Sequence, residues 1–200
     1  MIIFIVGGVK GGKSMFAQCV AKNLGEHSSL KYLATMMPMD SEDEKRIKRH
    51  IFDRAGWGFD TIEEPLDFKK IDKNVISNST ILLDSVTAYV QNNIFYNTDT
   101  YNKINVKQLF DDIKYLVDNC ENLIIVSDYI FSDALLYADL TDYFKEILGS
   151  MHCLIAKSSD VVLECSFSNM RILKNQYEYD FKDIMSEYFK IDGHLQYQDI

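Results

Sequence analysis

Short apolar runs punctuate the chain at Ile2–Val6, Tyr32–Ala34, Ile81–Leu83, Leu123–Val126 and Val161–Leu163. Runs of this length suit strands buried on both faces, and the stretches between them carry apolar residues at helical spacing. Phe16, Val20 and Leu24 form one such stripe; Val106, Leu109, Phe110, Ile113, Leu116 and Val117 form another. Short buried strands alternating with helices predict an α/β fold, a mostly parallel sheet flanked by helices. Pro38 and Pro65 fall in expected loops, and 97–105 reads as a polar, turn-rich connection between two helices. Beyond Leu173 the chain turns polar and tyrosine-rich, with one amphipathic pattern at Phe181, Ile184, Met185, Tyr188 and Phe189. The expected organisation is therefore one domain over residues 1–173 and a short extension, 174–200, packed on it as an added helix.

Ser41 followed three residues later by Glu44 reads as a capping box. It predicts a helix from near Glu42 through Arg46, Ile47, Arg49, His50, Ile51 and Arg54. At 3.6 residues per turn Arg46, His50 and Arg54 share one stripe, with Ile47 and Ile51 on the neighbouring apolar one.

Composition narrows the partners. Two hundred residues, 47% of them apolar, allow one well-buried core. The formal charge of −9 argues against nucleic acid, because binding many backbone phosphates needs a basic face. Cys19, Cys120, Cys153 and Cys165 show no metal-ligand spacing and read as buried reduced thiols. No apolar run approaches the roughly 20 residues of a membrane span. The opening Met1–Val6 is too short and uncharged for a secretory signal, so a cytoplasmic location is expected.

The chemistry is concentrated where the first strand ends. Gly7-Gly8-Val9-Lys10-Gly11-Gly12-Lys13-Ser14 fits GxxxxGK[ST], with a strand before it and a helical pattern after it. Glycines let the backbone turn so tightly that successive N–H groups face a phosphate at the positive end of the helix. Lys13 adds a point charge for the β- and γ-phosphates of ATP or GTP, and Ser14 offers a hydroxyl to Mg²⁺. Asp84, closing the run Ile81-Leu82-Leu83, is the expected holder of the metal's water shell. Arg46 and Arg54 flanking His50 could clamp phosphate oxygens, and a neutral imidazole there could attack phosphorus; on pattern alone the same stripe serves as a solvated face.

In chain order these pieces resemble the bifunctional adenosylcobinamide kinase and adenosylcobinamide-phosphate guanylyltransferase family of cobalamin biosynthesis, over roughly residues 1–173. The resemblance is carried by the strand and loop up to Ser14, Tyr32-Leu33-Ala34-Thr35, and Arg46-Ile47-Lys48-Arg49-His50 with Arg54 beyond it. Thr61-Ile62-Glu63-Glu64-Pro65 and Leu82-Leu83-Asp84-Ser85-Val86-Thr87 with Asn92 complete it. It implies a RecA-like P-loop NTPase fold, a homo-oligomer that is a trimer, and a corrinoid partner, adenosylcobinamide. It further implies His50 as the nucleophile that takes up GMP from GTP as a phosphoramidate, with Lys13 as catalytic partner and Glu63 among the nucleotide contacts. The chain departs from the family where Asp128-Tyr129-Ile130-Phe131 replaces an Asn-Glu-Val-Gly segment, and where His152-Cys153 replaces an Asn-Gln pair. Two other readings stay open: a P-loop kinase or NTPase without the corrinoid site, and a non-catalytic nucleotide-responsive binding protein.

Overall fold

All five apolar runs are strands of a single sheet, and their side chains alternate between two cores. In β1 (Ile2–Gly7), Phe4 and Val6 face one side while Ile3 and Ile5 face the other. The same alternation runs through β2 (Ser29–Ala34), β4 (Ser79–Asp84), β5 (Asn122–Asp128) and β6 (Val161–Ser166). Strands covered on both faces need apolar residues at successive positions, which is why these runs are continuous. The structure, a computed structural model, describes residues 1–38, 40–95, 106–132, 139–167 and 169–195, the side chains of Arg46, Asp53 and 192–195 excepted. The expected 97–105 connection lies outside the described residues.

The sheet has seven strands in the order β3-β2-β4-β5-β1-β6-β7, where β3 is Asp60–Glu63 and β7 is Asn169–Asn175. The first six run parallel, and β7 pairs antiparallel with β6. Helix α1 (Lys13–Leu24) covers one face through Phe16, Ala17 and Val20. The opposite face is covered by α4 (Val86–Phe95), α5 (Val106–Asn119) and α6 (Asp139–Ser158). A short 3-10 turn at Phe68–Lys70 and the helix α3 (Lys73–Ile76) close that side below β4. The amphipathic pattern in the tail is α7 (Lys182–Leu195), whose Ile184 and Tyr188 join the α1 core; Tyr188 meets Phe16 edge to face at 5.5 Å.

Four details differ from the sequence expectations. Strands β3 and β7 were not foreseen, because both are edge strands with mostly exposed side chains and lack the apolar run that marks a central strand. Helix α2 (Ser41–Asp53) is capped by Asp40 and not by Ser41: the Asp40 carboxylate accepts from the backbone N–H of Glu42 at 2.8 Å and of Asp43 at 2.9 Å. A charged acceptor at the positive helix end outcompetes a neutral hydroxyl. The apolar stripe of Ile47 and Ile51 gains no burial, since no described side chain of α2 is buried and Ile51 is 50% exposed. Finally, Cys19 and Cys165 are buried and Cys120 half-buried, but Cys153 is exposed.

The burial of α7 against α1 gives the first testable consequence. Ile184 is 2% exposed, so Ile184→Ala should destabilise the protein by about 2–5 kcal/mol, the cost of emptying a core site. Urea unfolding measures it; a loss under about 0.5 kcal/mol would mean that α7 contributes little to the core.

Candidate active site

The parallel strands end on one rim, and that rim gathers several of the polar residues singled out in the sequence. Gly7 ends β1 where β6 comes so close that a Cβ would collide with the carbonyl oxygen of Cys165, so only glycine fits. The loop then turns back on itself, with Gly11 N–H donating to Gly8 O at 3.2 Å and Gly12 left-handed at φ 88°. Gly12 is the N-cap of α1, and no side chain caps this helix or places an acid in its first turn. The first N–H groups of α1 are thereby kept for an anion. Val9 and Lys10 lie on the outside of the turn, Val9 being 56% exposed, and Ser14 is half-buried in the first turn of the helix.

Lys13 is 5% exposed, an ammonium group almost removed from water. Its Nζ donates to Gly8 O at 2.6 Å and pairs with Asp128 Oδ1 at 2.9 Å. Asp128 ends β5 in register with Gly7. Leaving such a buried charge unpaired would cost about 3–5 kcal/mol, so a carboxylate or a phosphate must stand there.

On the strand next to β5, Asp84 ends β4, and one of its oxygens accepts from Tyr32 OH at 2.9 Å. The Tyr32 ring carries the Arg54 guanidinium on its face at 3.9 Å, and Arg54 also donates to Thr61 Oγ1 at 3.2 Å. Arg54 is thus buried on the sheet at the C-cap of α2, not standing out on an open stripe with His50. Guanidinium stacking on an aromatic face favours this seat. His50 lies half-buried in the last turn of α2, and the side chain of Arg46 lies outside the described residues. Glu63 ends β3, exposed, and pairs with Ala34, which itself pairs with Asp84. Glu63 and Asp84 therefore stand at one level of the rim, two strand spacings or about 10 Å apart.

The structure brings Gly7–Ser14, Lys13 and Asp128 into one cluster, and Asp84, Tyr32, Arg54 and Thr61 into a second beside it. Among the described residues no group of three or more His, Cys, Asp or Glu side chains is arranged to hold a metal. The oxygen donors of Ser14 and Asp84 suit a hard, hydrated cation such as Mg²⁺, which keeps several waters and needs only one or two protein ligands.

Comparison with known proteins decides between chemistries that share this loop. The sequence signature described as cobinamide kinase / cobinamide phosphate guanyltransferase matches residues 3–168. The chain belongs to this family of bifunctional transferases. A relative within the family, the bifunctional adenosylcobalamin biosynthesis protein CobU of Escherichia coli (strain K12), is 26% identical over 175 residues, covering 81% of this chain and 93% of its own length. Among solved structures, the ATP synthase subunit NeqB from Nanoarcheaum equitans aligns with 98% of this chain and 56% of its own, at a TM-score of 0.54 and 9% identity. That likeness concerns the P-loop NTPase fold alone. The flagellar accessory protein FlaH from Methanocaldococcus jannaschii covers 90% of this chain and 81% of its own, at a TM-score of 0.48 and 16% identity. No helix among the described residues is long and apolar enough to cross a membrane.

Within the family frame, hydrogen bonds join residues that the sequence showed only as separate motifs. Thr35 Oγ1 donates to Ser85 O at 2.7 Å and accepts from Ser85 N–H at 2.8 Å, locking the end of β2 to the turn after Asp84, where the Asp84–Ser85 peptide is cis. Asn92 Nδ2 donates to Thr35 O at 2.7 Å and to Pro65 O at 3.2 Å. The two departures from the family pattern also meet: Phe131 packs edge to face on His152 at 5.4 Å. His152 Nε2 lies 2.7 Å from Ser127 Oγ, which lies 2.9 Å from Thr87 Oγ1, which accepts from Asp128 N–H at 2.7 Å. Sequence reading missed Ser127, Asp128 and His152 as site residues because their link is purely spatial.

Burial pushes the His152 imidazole down from 6.5 to about 4, against a smaller opposing pull from Asp128. A folded-state value below the unfolded one means that the unfolded chain binds the extra proton first. Stability from this group is therefore whole above pH 6.5 and is lost as pH falls toward 4, by about 3 kcal/mol in all. Unfolding free energy measured across that window should fall less steeply in His152→Asn than in the parent chain; equal slopes would place the acid sensitivity elsewhere.

Proposed function

We propose that this chain phosphorylates the hydroxyl of adenosylcobinamide with ATP or GTP and then transfers GMP from GTP to the new phosphate through His50. The observation that carries this reading is a buried Lys13 at an uncapped helix N-terminus wrapped by Gly7–Ser14, in a chain of the cobinamide kinase and guanyltransferase family.

Phosphoryl transfer is chiefly a matter of position and charge. The N–H groups of the loop and of α1 bind the phosphates, and Lys13 exchanges Asp128 for phosphate oxygens. Ser14 and Asp84 would hold Mg²⁺, which would supply charge neutralisation to the phosphates. Tyr32 fixes the rotamer of Asp84 from behind. In the second reaction an imidazole nitrogen of His50 forms a bond to the α-phosphorus of GTP while the bond to the β-phosphate oxygen breaks and pyrophosphate leaves. An oxygen of cobinamide phosphate then attacks the same phosphorus, the P–N bond breaks, and adenosyl-GDP-cobinamide is released with His50 restored. Arg46 and Arg54 would clamp phosphate oxygens during this transfer, with Arg54 leaving Tyr32 and Thr61 to do so, and Glu63 would contact the nucleotide from the end of β3.

Two substitutions test the two halves separately. Asp84→Asn should lower kinase turnover about tenfold or more at limiting Mg²⁺ and leave GTP affinity nearly unchanged, because the carboxylate acts through the ion's water shell. A magnesium titration that superimposes on the parent chain would remove Asp84 from the site. With GTP labelled at the α-phosphate, the parent chain should retain acid-labile, alkali-stable label, and His50→Ala should retain none yet still phosphorylate cobinamide. Label persisting in His50→Ala would eliminate His50 as the nucleophile.

A further inference from the structure

Asp128 stands at the centre of the phosphate site, and neither the loop motif nor the family pattern accounts for it. Its Oδ1 is 2.9 Å from Lys13 Nζ, and its side chain is 18% exposed, so solvent or a substrate reaches it. The lysine of such a loop grips the β- and γ-phosphates. A carboxylate one hydrogen bond from that ammonium therefore lies beside the γ-phosphoryl and beside whatever group attacks it.

The backbone that carries Asp128 is pinned on both sides. Its own N–H donates to Thr87 Oγ1 at 2.7 Å, and the next N–H, of Tyr129, donates to Gly7 O at 2.8 Å. Thr87 is held in turn by Ser127 at 2.9 Å, and Ser127 by His152 Nε2 at 2.7 Å. His152 is wedged between the rings of Phe4 and Phe131 at 5.3 and 5.4 Å. A counter-ion for Lys13 needs only proximity. This carboxylate has in addition a fixed backbone, backed by side chains from α4, β5 and α6, which is the arrangement a positioned proton acceptor requires.

We propose that Asp128 is the catalytic base of the phosphorylation step, a role that rests on the kinase reading above. The acceptor hydroxyl oxygen forms its bond to the γ-phosphorus as the bond from that phosphorus to the β,γ-bridging oxygen breaks. The hydroxyl proton passes to the Asp128 carboxylate, and the nucleoside diphosphate departs with the electron pair of the broken bond. Lys13 turns from Asp128 to the phosphates when nucleotide binds. The acceptor O–H then lies between carboxylate and γ-phosphoryl, which relieves the repulsion of two anions.

The experiment compares the parent chain, Asp128→Asn and Asp128→Ala in three assays: GTP binding, phosphorylation of cobinamide, and GMP transfer to cobinamide phosphate supplied from outside. Asp128→Asn should bind GTP at least as tightly, because the competitor for Lys13 has lost its charge. It should phosphorylate cobinamide about 10²–10⁴-fold more slowly, a loss well beyond any change in its GMP transfer. Formate, a carboxylate small enough for the vacated space, should restore part of the rate lost in Asp128→Ala. A phosphorylation rate for Asp128→Asn within about threefold of the parent chain overturns the proposal. So does loss of GTP binding along with activity, or an Asp128→Ala variant indifferent to formate, since either assigns Asp128 to support of the loop. A parent chain that never phosphorylates cobinamide removes the kinase reading itself, and this role with it.

Discussion

The site is organised around a cation that has almost no water. Lys13 is 5% exposed, and an ammonium group so placed must be met by oxygen atoms at every stage of a catalytic cycle. Without nucleotide those oxygens come from Gly8 and Asp128. The geometry that supplies them explains the surrounding sequence. Gly7 lets β6 approach, Gly12 turns the chain into α1, and β5 lies between β1 and β4 so that its last residue reaches the loop.

A second line of contacts ties the rim together beyond the lysine. Arg54 lies on Tyr32, Tyr32 donates to Asp84, and Thr35 is locked to Ser85 immediately after Asp84. The stretch that carries His50 is thus anchored at its C-terminal end to the strand pair that presents Asp84. Helix α2 buries none of its described side chains, and its Phe52 is 80% exposed, whereas Arg54 just beyond it is buried on Tyr32.

Much of the fold was legible because the determining interactions are local or periodic. Continuous apolar runs require strands covered on both sides, and the stripe from Phe181 to Tyr188 requires a helix with one buried face; both appear where the pattern puts them. The phosphate loop was equally legible, since its chemistry needs glycines and a lysine at fixed spacing in a strand-to-helix turn. Edge strands β3 and β7 were not, because an exposed strand carries no apolar signature. The Asp40 cap was misread as Ser41 because two adjacent cap-forming residues look alike until the hydrogen bonds are drawn.

Patterning along the chain specifies the sheet's central strands, the glycine-rich loop before α1, and the acid Asp84 at a strand end. What meets those groups follows from contacts between distant parts of the chain. Lys13 and Asp128 are separated by most of the domain's length, as are Asp128 and the glycines it faces; parallel pairing of β1 with β5 brings them together. His152 reaches Ser127 because α6 packs on the sheet against β1, the strand beside β5. Arg54, which shares a helical stripe with His50 in one dimension, is instead drawn onto Tyr32 by an aromatic face that no spacing along the chain reveals. Periodicity records which way a residue faces, whereas pairing between distant strands and helices fixes its partner, and this site is built from partners.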